Sequence, residues 1–414
     1  MKRKIDSEDD KNFFVVPEDV KNRARMSNLL MEELPKTAEL TLTEARRYLL
    51  TSWLNSDPLL MGYQDEEGNS FLFLLDDAVK SKILLLHFWD YTNVQSVREL
   101  DYIKEWHTRY SGSGLLIVGV HCPMFSFGKE RDLLQEVLRE QKIEYPVALD
   151  SSFALWKALE NRCWPRRALF DPKLQLYSSF EGEGDYQNFE LKIQTLLRQL
   201  SPGLACPLLM GPLRSLDQEE AMDLPCTNEM FMGWSKKQRL GNQPPLPINY
   251  QTEPEEQFFD DEKTYLPELP YFGGHWTVLK ESIFSIPKKN VKLPPGEQTK
   301  QKIAPSTFSV QFTGTDVYVV GRKKSRDGTD SGQPVRLTVT LDRKAVLDDT
   351  FGKDMKYSDA RKGEVLVKAP KLYHLLTNLP HGAHEITVQV DSDFGEGLEL
   401  FAIYFSAEPP KQSE

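Results

Sequence analysis

Two hydrophobic periodicities divide this chain and limit what it can fold into. From about residue 80 to residue 200, short runs of consecutive apolar residues alternate with segments whose apolar positions recur every three or four residues; from about residue 274 onward they recur every second position. A run that is apolar throughout suits a strand covered on both faces, and strict alternation suits a strand with one buried face. The first region therefore predicts an α/β domain, a three-layer sheet with at least one parallel pair. The second predicts an antiparallel β-sandwich.

Within the first region ILLLHF, GLLIVGVH, YPVALD, WPRRALFD and LQLYSSFEG read as strands. VQSVRELDYIKEWHTRY, KERDLLQEVLREQ, FALWKALE and NFELKIQTLLRQL read as helices. FSVQFTG, DVYVVGR, VRLTVTLD, EVLVKAP, HEITVQVD and LELFAIYFS supply the sandwich, and KKSRDGTDSGQP an exposed loop. Upstream, residues 1 to about 40 are a polar arm. Thr41-Leu42-Thr43-Glu44 has capping-box spacing and leads into ARRYLLTSWL, which predicts a helix ending near Asn55. GYQDEEGNSFLFL predicts two short strands around a turn at Glu67-Gly68-Asn69. The resulting division is an arm and helix at 1–58, an α/β domain at 59–200, a proline-rich connector at 201–271, a sandwich at 272–408 and a tail at 409–414. Apolar pieces in the connector, such as MFMGW, are expected to pack along a domain.

The 414 residues carry a formal net charge of −11, which argues against nucleic acid as a partner because phosphate neutralisation needs a basic face. No apolar run approaches the length of a membrane span, and the basic start MKRK has no apolar segment behind it, so a cytoplasmic protein is expected. The four cysteines, at 122, 163, 206 and 226, form no Cys-x-x-Cys and no metal-ligand spacing, so neither a disulfide framework nor a metal is expected. P-loop, GxGxxG, HExxH and GxSxG patterns are missing, and no cofactor is expected.

FWDYTNVQSVREL stands between a buried strand and a helix, and here the chain resembles thioredoxin-like domains of the TlpA and DipZ type. In that family a strand ending in Phe-Trp runs through a Tyr-Thr turn into a Cys-x-x-Cys pair that opens the helix. Phe88-Trp89, Tyr91-Thr92 and Arg98 match, and the pair falls on Asn93 and Ser96. GLLIVGVHCPMF, YPVALDSSFALWKAL, Trp164-Pro165 and FEGEGDY at 180–186 follow in the same order. The later pieces MFMGW, HWTV, KLYHLL and GLELFAIYF resemble the carbohydrate-binding-module-like sandwich that follows in DipZ-type proteins, which implies a jelly-roll, galactose-binding-like fold for the second half. The resemblance implies that Pro165 is the cis-proline beside the redox site. It further implies a peptide-contacting groove around Trp89, Tyr91, Thr92, His121, Trp164 and Pro165.

A thioredoxin works because its first cysteine sits at a helix N-terminus, where the dipole and free N–H groups stabilise a thiolate. Asn93 offers no sulfur and Ser96 an alcohol that stays protonated near neutral pH, so no catalytic residue is expected at these positions. Asparagine is a strong N-cap residue, and a capped helix in an inactive fold explains it. Cys122 and Cys163 are the candidates for a relocated thiol, against the simpler reading of inert buried side chains. His87 reads as a satisfied core or sheet-edge group, and His121 as a group that ends a strand on the site side, with ligand contact its lesser reading. Sugar binding by the sandwich would use Trp276, Tyr357 or Tyr373. The leading expectation is a non-enzymatic protein that binds a peptide or protein partner. The alternatives are an oxidoreductase acting through Cys122 or Cys163, and a carbohydrate-binding module.

Overall fold

The computed structural model of the chain describes residues 49–50, 52–55, 70–71, 81–218, 224–236, 240–242, 256–259, 265–287, 305–325, 331–358, 362–391 and 396–408. It divides into two compact units, Met1–Pro212 and Leu213–Glu414. The first contains β1 (Leu49–Leu50), β2 (Ser52–Leu54), β3 (Ser70–Phe71), β4 (Ile83–Trp89), β5 (Leu115–His121), β6 (Val147–Leu149), β7 (Arg166–Phe170) and β8 (Leu176–Glu181). Its helices are α1 (Val94–Tyr110), α2 (Arg131–Glu140), α3 (Ala154–Ala158) and α4 (Tyr186–Leu200). Six strands form one sheet in the order β2-β6-β5-β4-β7-β8, with β4, β5 and β6 parallel and the other pairs antiparallel.

The helix expected to end near Asn55 is not what the described residues form. Leu49–Leu50 pairs with Ser70–Phe71, and Ser52–Leu54 lies against β6. The capping-box pattern is a local signal of about 1 kcal/mol. Pairing with β6 satisfies backbone groups along a sheet edge and buries Leu54, which outweighs it. Residues 1–48 and the turn at 67–69 lie outside the described residues.

Successive residues of β4 point to opposite faces of the sheet. His87 faces α1, where Glu99 approaches it to 3.9 Å, and Phe88 faces α3, where its ring meets Trp156 edge-on at 6.3 Å between centroids. Helices therefore cover both faces, as the alternating pattern predicts. Leu100, Ile103, Trp106 and Tyr110 put one stripe of α1 into the core, and Trp106 stacks on Phe189 of α4.

The chain after α4 stays on this unit. The inaccessible carboxylate of Glu190 accepts from Tyr110 Oη and Arg109 Nη1, both at 2.5 Å, and from the Met210 N–H at 2.7 Å. Gln194, Arg109 and Gln187 donate to the carbonyls of Pro207, Leu208 and Met210 at 2.9, 2.6 and 3.0 Å. The start of the connector is thus docked main chain read by side chains of α1 and α4.

The second unit contains β9 (Met230–Phe231), β10 (Glu256–Phe259), β11 (Pro270–Val278), β12 (Ile283–Ser285), β13 (Ser306–Gly314), β14 (Asp316–Ser325) and β15 (Val335–Leu341). It continues with β16 (Lys344–Ala345), β17 (Met355–Tyr357), β18 (Gly363–Val367), β19 (Lys371–Leu376), β20 (Gly382–Asp391) and β21 (Glu396–Ser406). Every pairing between these strands is antiparallel. β11 belongs to two sheets: Pro270–Gly273 pairs with β13, and Gly274–Val278 with β10 and β12. Between the sheets lies an apolar core that includes Phe308, Val310, Val319, Leu337, Val388 and Leu400. The connector piece MFMGW contributes β9, which pairs with β21, so it packs on a domain as expected.

The strand changes sheets at Gly274, whose φ of +81° disfavours L side chains and whose missing Cβ would sit 3.1 Å from Pro305 O and Ser306 Cα. Gly274→Ala is expected to destabilise the sandwich by about 1–3 kcal/mol. Urea unfolding followed by hydrogen exchange of β11 and β13 amides checks this; an unchanged midpoint would show that the crossing tolerates a side chain.

Candidate functional site

β4 delivers the chain to the turn Asp90-Tyr91-Thr92-Asn93, and α1 begins at Val94. Asn93 is extended, with φ −97° and ψ 121°, and its Oδ1 accepts the Ser96 N–H at 2.8 Å. The expected N-cap is therefore formed. Asp90, which is buried, organises the rest of the turn. Its Oδ1 accepts the Thr92 N–H at 2.6 Å and the Thr92 hydroxyl, while its own N–H donates to Ser96 Oγ at 3.3 Å. Ser96 has no solvent exposure, so its hydroxyl is presented to no substrate.

The next strand closes against this turn. Cys122 N donates to Trp89 O at 3.1 Å, and Met124 N donates to Asp90 Oδ2 at 2.7 Å. The His121 ring stacks on Tyr91 at 5.1 Å and meets Trp89 edge-on at 5.4 Å. The Trp164-Pro165 bond is cis, as the resemblance implies. Trp164 turns its indole inward, donating from Nε1 to Cys122 O at 3.0 Å and packing on Trp156 at 4.3 Å. Trp89, Tyr91, Thr92, His121, Trp164 and Pro165 are all buried, and Asn93 is half-buried. His121 is thus part of the packing under the site, not a group facing solvent.

Neither candidate thiol is set up as a nucleophile. Burial raises Cys122 well above the ordinary thiol value, with Asp150 and Asp90 adding to the effect; Asp150 Oδ2 lies 3.8 Å from its sulfur. Burial pushes Cys163 up to about 12, with Glu181 acting in the same direction. None of the four cysteines is joined in a disulfide.

A cluster that the sequence reading did not single out lies beneath the helix start. Gly119, His87, Arg167 and Phe180 are cross-strand neighbours on β5, β4, β7 and β8. Above them Glu99 Oε1 approaches Arg167 Nε to 2.7 Å, with neither side chain accessible. Arg167 also lies over the rings of Phe180 and Phe189, each at 4.6 Å. His87 is buried as expected but not satisfied: neither ring nitrogen has a hydrogen-bond partner, and burial with the nearby Arg167 pushes it down to about 3. A signal was present in the sequence. Glu99 falls on the apolar stripe of α1 and Arg167 inside an apolar strand, and opposite charges at two such positions are expected to pair.

Elsewhere, Cys206 and Cys226 are half-buried, and Trp276 and Tyr373 belong to the sandwich core. Tyr357 remains exposed, with Phe351 4.7 Å away. Among the described residues no group of three or more His, Cys, Asp or Glu is arranged to hold a metal ion. Nor is any helix there long and apolar enough to cross a membrane.

A mixed sheet with helices on both faces, a helix starting at the carboxyl end of its central parallel strand, and an X–Pro strand entry beside it make the first unit thioredoxin-like. Its similarity is to the DipZ/TlpA type: protein DipZ of Mycobacterium bovis is 31% identical over 158 residues, 38% of this chain and 21% of that protein. Human NHL repeat-containing protein 2 is 30% identical over 133 residues, covering 32% of this chain and 16% of its own. Thiol-disulfide oxidoreductase YkuV of Bacillus subtilis is 25% identical over 124 residues, 30% of this chain and 83% of YkuV. The chain thus spans about a fifth of the length of DipZ. The solution structure of a thioredoxin-like protein in its oxidised form aligns with 37% of this chain and 97% of its own, at 22% identity and a TM-score of 0.29. No protein-family model matches the chain.

Two outcomes are expected for the buried cluster. Glu99→Gln leaves the Arg167 charge uncompensated and should cost about 3–5 kcal/mol in chemical denaturation; a loss below about 1 kcal/mol would mean that the pair does not hold α1. For His87 the folded value lies below the unfolded one. Its contribution to stability is therefore complete above about pH 6.5 and is lost as pH falls toward about 3. His87→Phe should flatten the decline in unfolding free energy between about pH 6.5 and pH 4, and an unchanged slope would assign the decline to other groups.

Proposed function

We propose that this protein is a thioredoxin-like binding or scaffolding protein without thiol–disulfide chemistry, which uses the surface around Asn93 and cis-Pro165 to hold an extended peptide segment. The observation that carries the reading is the state of the helix start. The position that would carry a nucleophile is filled by the Asn93 cap on Ser96 N, and Ser96 is buried against Asp90. The thiols nearest by sequence are protonated at neutral pH, because burial and neighbouring carboxylates both act against the thiolate. An extended ligand would be held chiefly by main-chain hydrogen bonds, as when a strand is added to an exposed edge.

The alternative is a thiol–disulfide oxidoreductase that works through Cys122 or Cys163, a reading favoured by the name of the relative YkuV. Such an enzyme would have to open the core to expose either sulfur.

Insulin reduction with a chemical reductant separates the two. The wild type is expected at background, and Asn93→Cys with Ser96→Cys is expected to reduce insulin, because the new pair occupies a helix N-terminus that can stabilise a thiolate. A wild type that reduces insulin, and is silenced by Cys122→Ser or Cys163→Ser, would replace the binding reading with the enzymatic one. A folded double variant whose thiols neither pair nor react would mean that the surface has been remodelled along with its cysteines.

A further inference from the structure

The start of the connector is held by its main chain and not by its side chains. No residue from Ser201 to Pro212 is buried, and Leu208 and Leu209 are 89% and 37% exposed. The carbonyls of Pro207, Leu208 and Met210 accept from Gln194, Arg109 and Gln187, and the Met210 N–H donates to Glu190 Oε2. Among the described residues, no main-chain group elsewhere bonds residues 205–212. An element with so few buried apolar contacts opens at a much lower cost than the core does. Its two ends suit opening, because Gly203, at φ +91°, and Gly211 each have nothing within 4 Å of a Cβ position.

The seam between α1 and α4 that receives this segment is assembled without it. Tyr110 Oη and Arg109 Nη1 donate to Glu190 Oε1, Gln194 Nε2 donates to Tyr110 Oη at 2.8 Å, and Gln194 Oε1 accepts from Arg198 at 3.0 Å. With the connector lifted, Glu190 therefore keeps its cation and is not left as an uncompensated charge. What lifting frees is one carboxylate oxygen of Glu190 and N–H groups of Gln194, Arg109 and Gln187. These fit any extended segment that offers carbonyls and an N–H at the same spacing, since main-chain hydrogen bonds read a backbone whatever its side chains.

We propose that the α1–α4 seam is a binding site for an extended peptide and that the connector is its autoinhibitory occupant. The partner is a segment with carbonyls at positions i, i+1 and i+3 and an N–H at i+3, which takes the places of Pro207, Leu208 and Met210. Arg109 and Tyr110 lie at the opposite end of α1 from Asn93, about 25 Å away along a helix of 17 residues. The seam therefore stands or falls separately from the surface around Asn93 and cis-Pro165.

The test uses the full chain and a labelled, end-capped peptide of residues 204–213 carrying Cys206→Ser. Met210→Pro removes the N–H that Glu190 accepts, which unseats the connector and leaves the seam intact. The peptide is expected to bind this variant at least roughly tenfold more tightly than the wild type, whose seam is open only a fraction of the time. Binding should move the side-chain amide signals of Gln187 and Gln194. Peptide affinity should change by no more than about threefold with Leu208→Ala and Leu209→Ala, and should fall at least about tenfold when the Met210 nitrogen is methylated, because that removes a charge-assisted bond. In the wild type, Met210 amide protection should be at least about tenfold below that of Ile193 and Leu197 on α4. The proposal is overturned if the peptide does not bind the variant, if it binds the wild type as tightly, if N-methylation leaves affinity unchanged, or if Met210 exchanges as slowly as the α4 amides. The exchange comparison needs no variant, so it can overturn the proposal even if Met210→Pro fails to fold.

Discussion

The placement of α1 on its sheet depends on a buried ion pair. Glu99 and Arg167 have no solvent exposure, and an isolated charge at either position would carry a desolvation cost of several kcal/mol. Only one rotation of the helix about its axis brings Glu99 over the strand position where Arg167 emerges. That rotation also sets where the helix start points, since Ser96 is three residues and Asn93 six residues before Glu99. A second tie runs from Arg98, the residue before Glu99 on the helix, to Glu183 in the loop before α4, with Nε at 3.1 Å from Oε2. The helix start is therefore held from below by β7 and from the side by the loop at 182–185.

This rigidity explains how a thioredoxin-like unit keeps its shape while its helix start carries no thiol. Reactive cysteines need an electropositive, accessible setting, which an uncapped helix N-terminus supplies. Here the Asn93 oxygen occupies the Ser96 N–H, so part of that field is already spent on the cap. The sulfurs that remain nearby sit in the opposite setting. Cys122 is buried beside Asp150, and Cys163 is buried with Glu181 acting on it. Polarity at this end of the sheet is carried by carboxylates that accept from the backbone: Asp90 for Thr92 and Met124, Asp150 for Ala154 and Trp156. These groups stabilise turns and disfavour a thiolate for the same reason.

The sandwich is stabilised differently. Its centre is aliphatic and aromatic, and a charged pair such as Glu399 of β21 with Arg322 of β14, at 2.7 Å, leaves the arginine partly exposed. Burial of apolar area is non-directional, so the unit relies on strand register for specificity. The crossing at Gly274 is where that register is most demanding, because one strand must satisfy partners in two sheets. Two of the aromatics that a sugar would need are committed to this interior, Trp276 through its contact with Phe272 and Tyr373 through its hydroxyl donating to Ala369 O.

Much of this was legible in the sequence. Apolar runs and helical periods located the strands and helices from Ile83 to Leu200, alternation located the sandwich strands, and Asn93 before a helical stretch announced its own cap, because these signals depend on residues close together in the chain. The N-terminal strands were not legible: Ser52–Leu54 carries a pattern that also suits a helix, and the open edge of β6, about ninety residues away, decided between them. The charged cluster was half legible, since Glu99 and Arg167 each stand out locally while their meeting, with His87 left between them, depends on stacking α1 over the row formed by β4 and β7. The burial of His121, Cys122 and Cys163, and so the shift in the acidity of all three, was decided by tertiary structure alone. Residue type sets a group's ordinary acidity, but desolvation and the charges brought within a few ångströms set its acidity in the fold, and those neighbours come from distant parts of the chain.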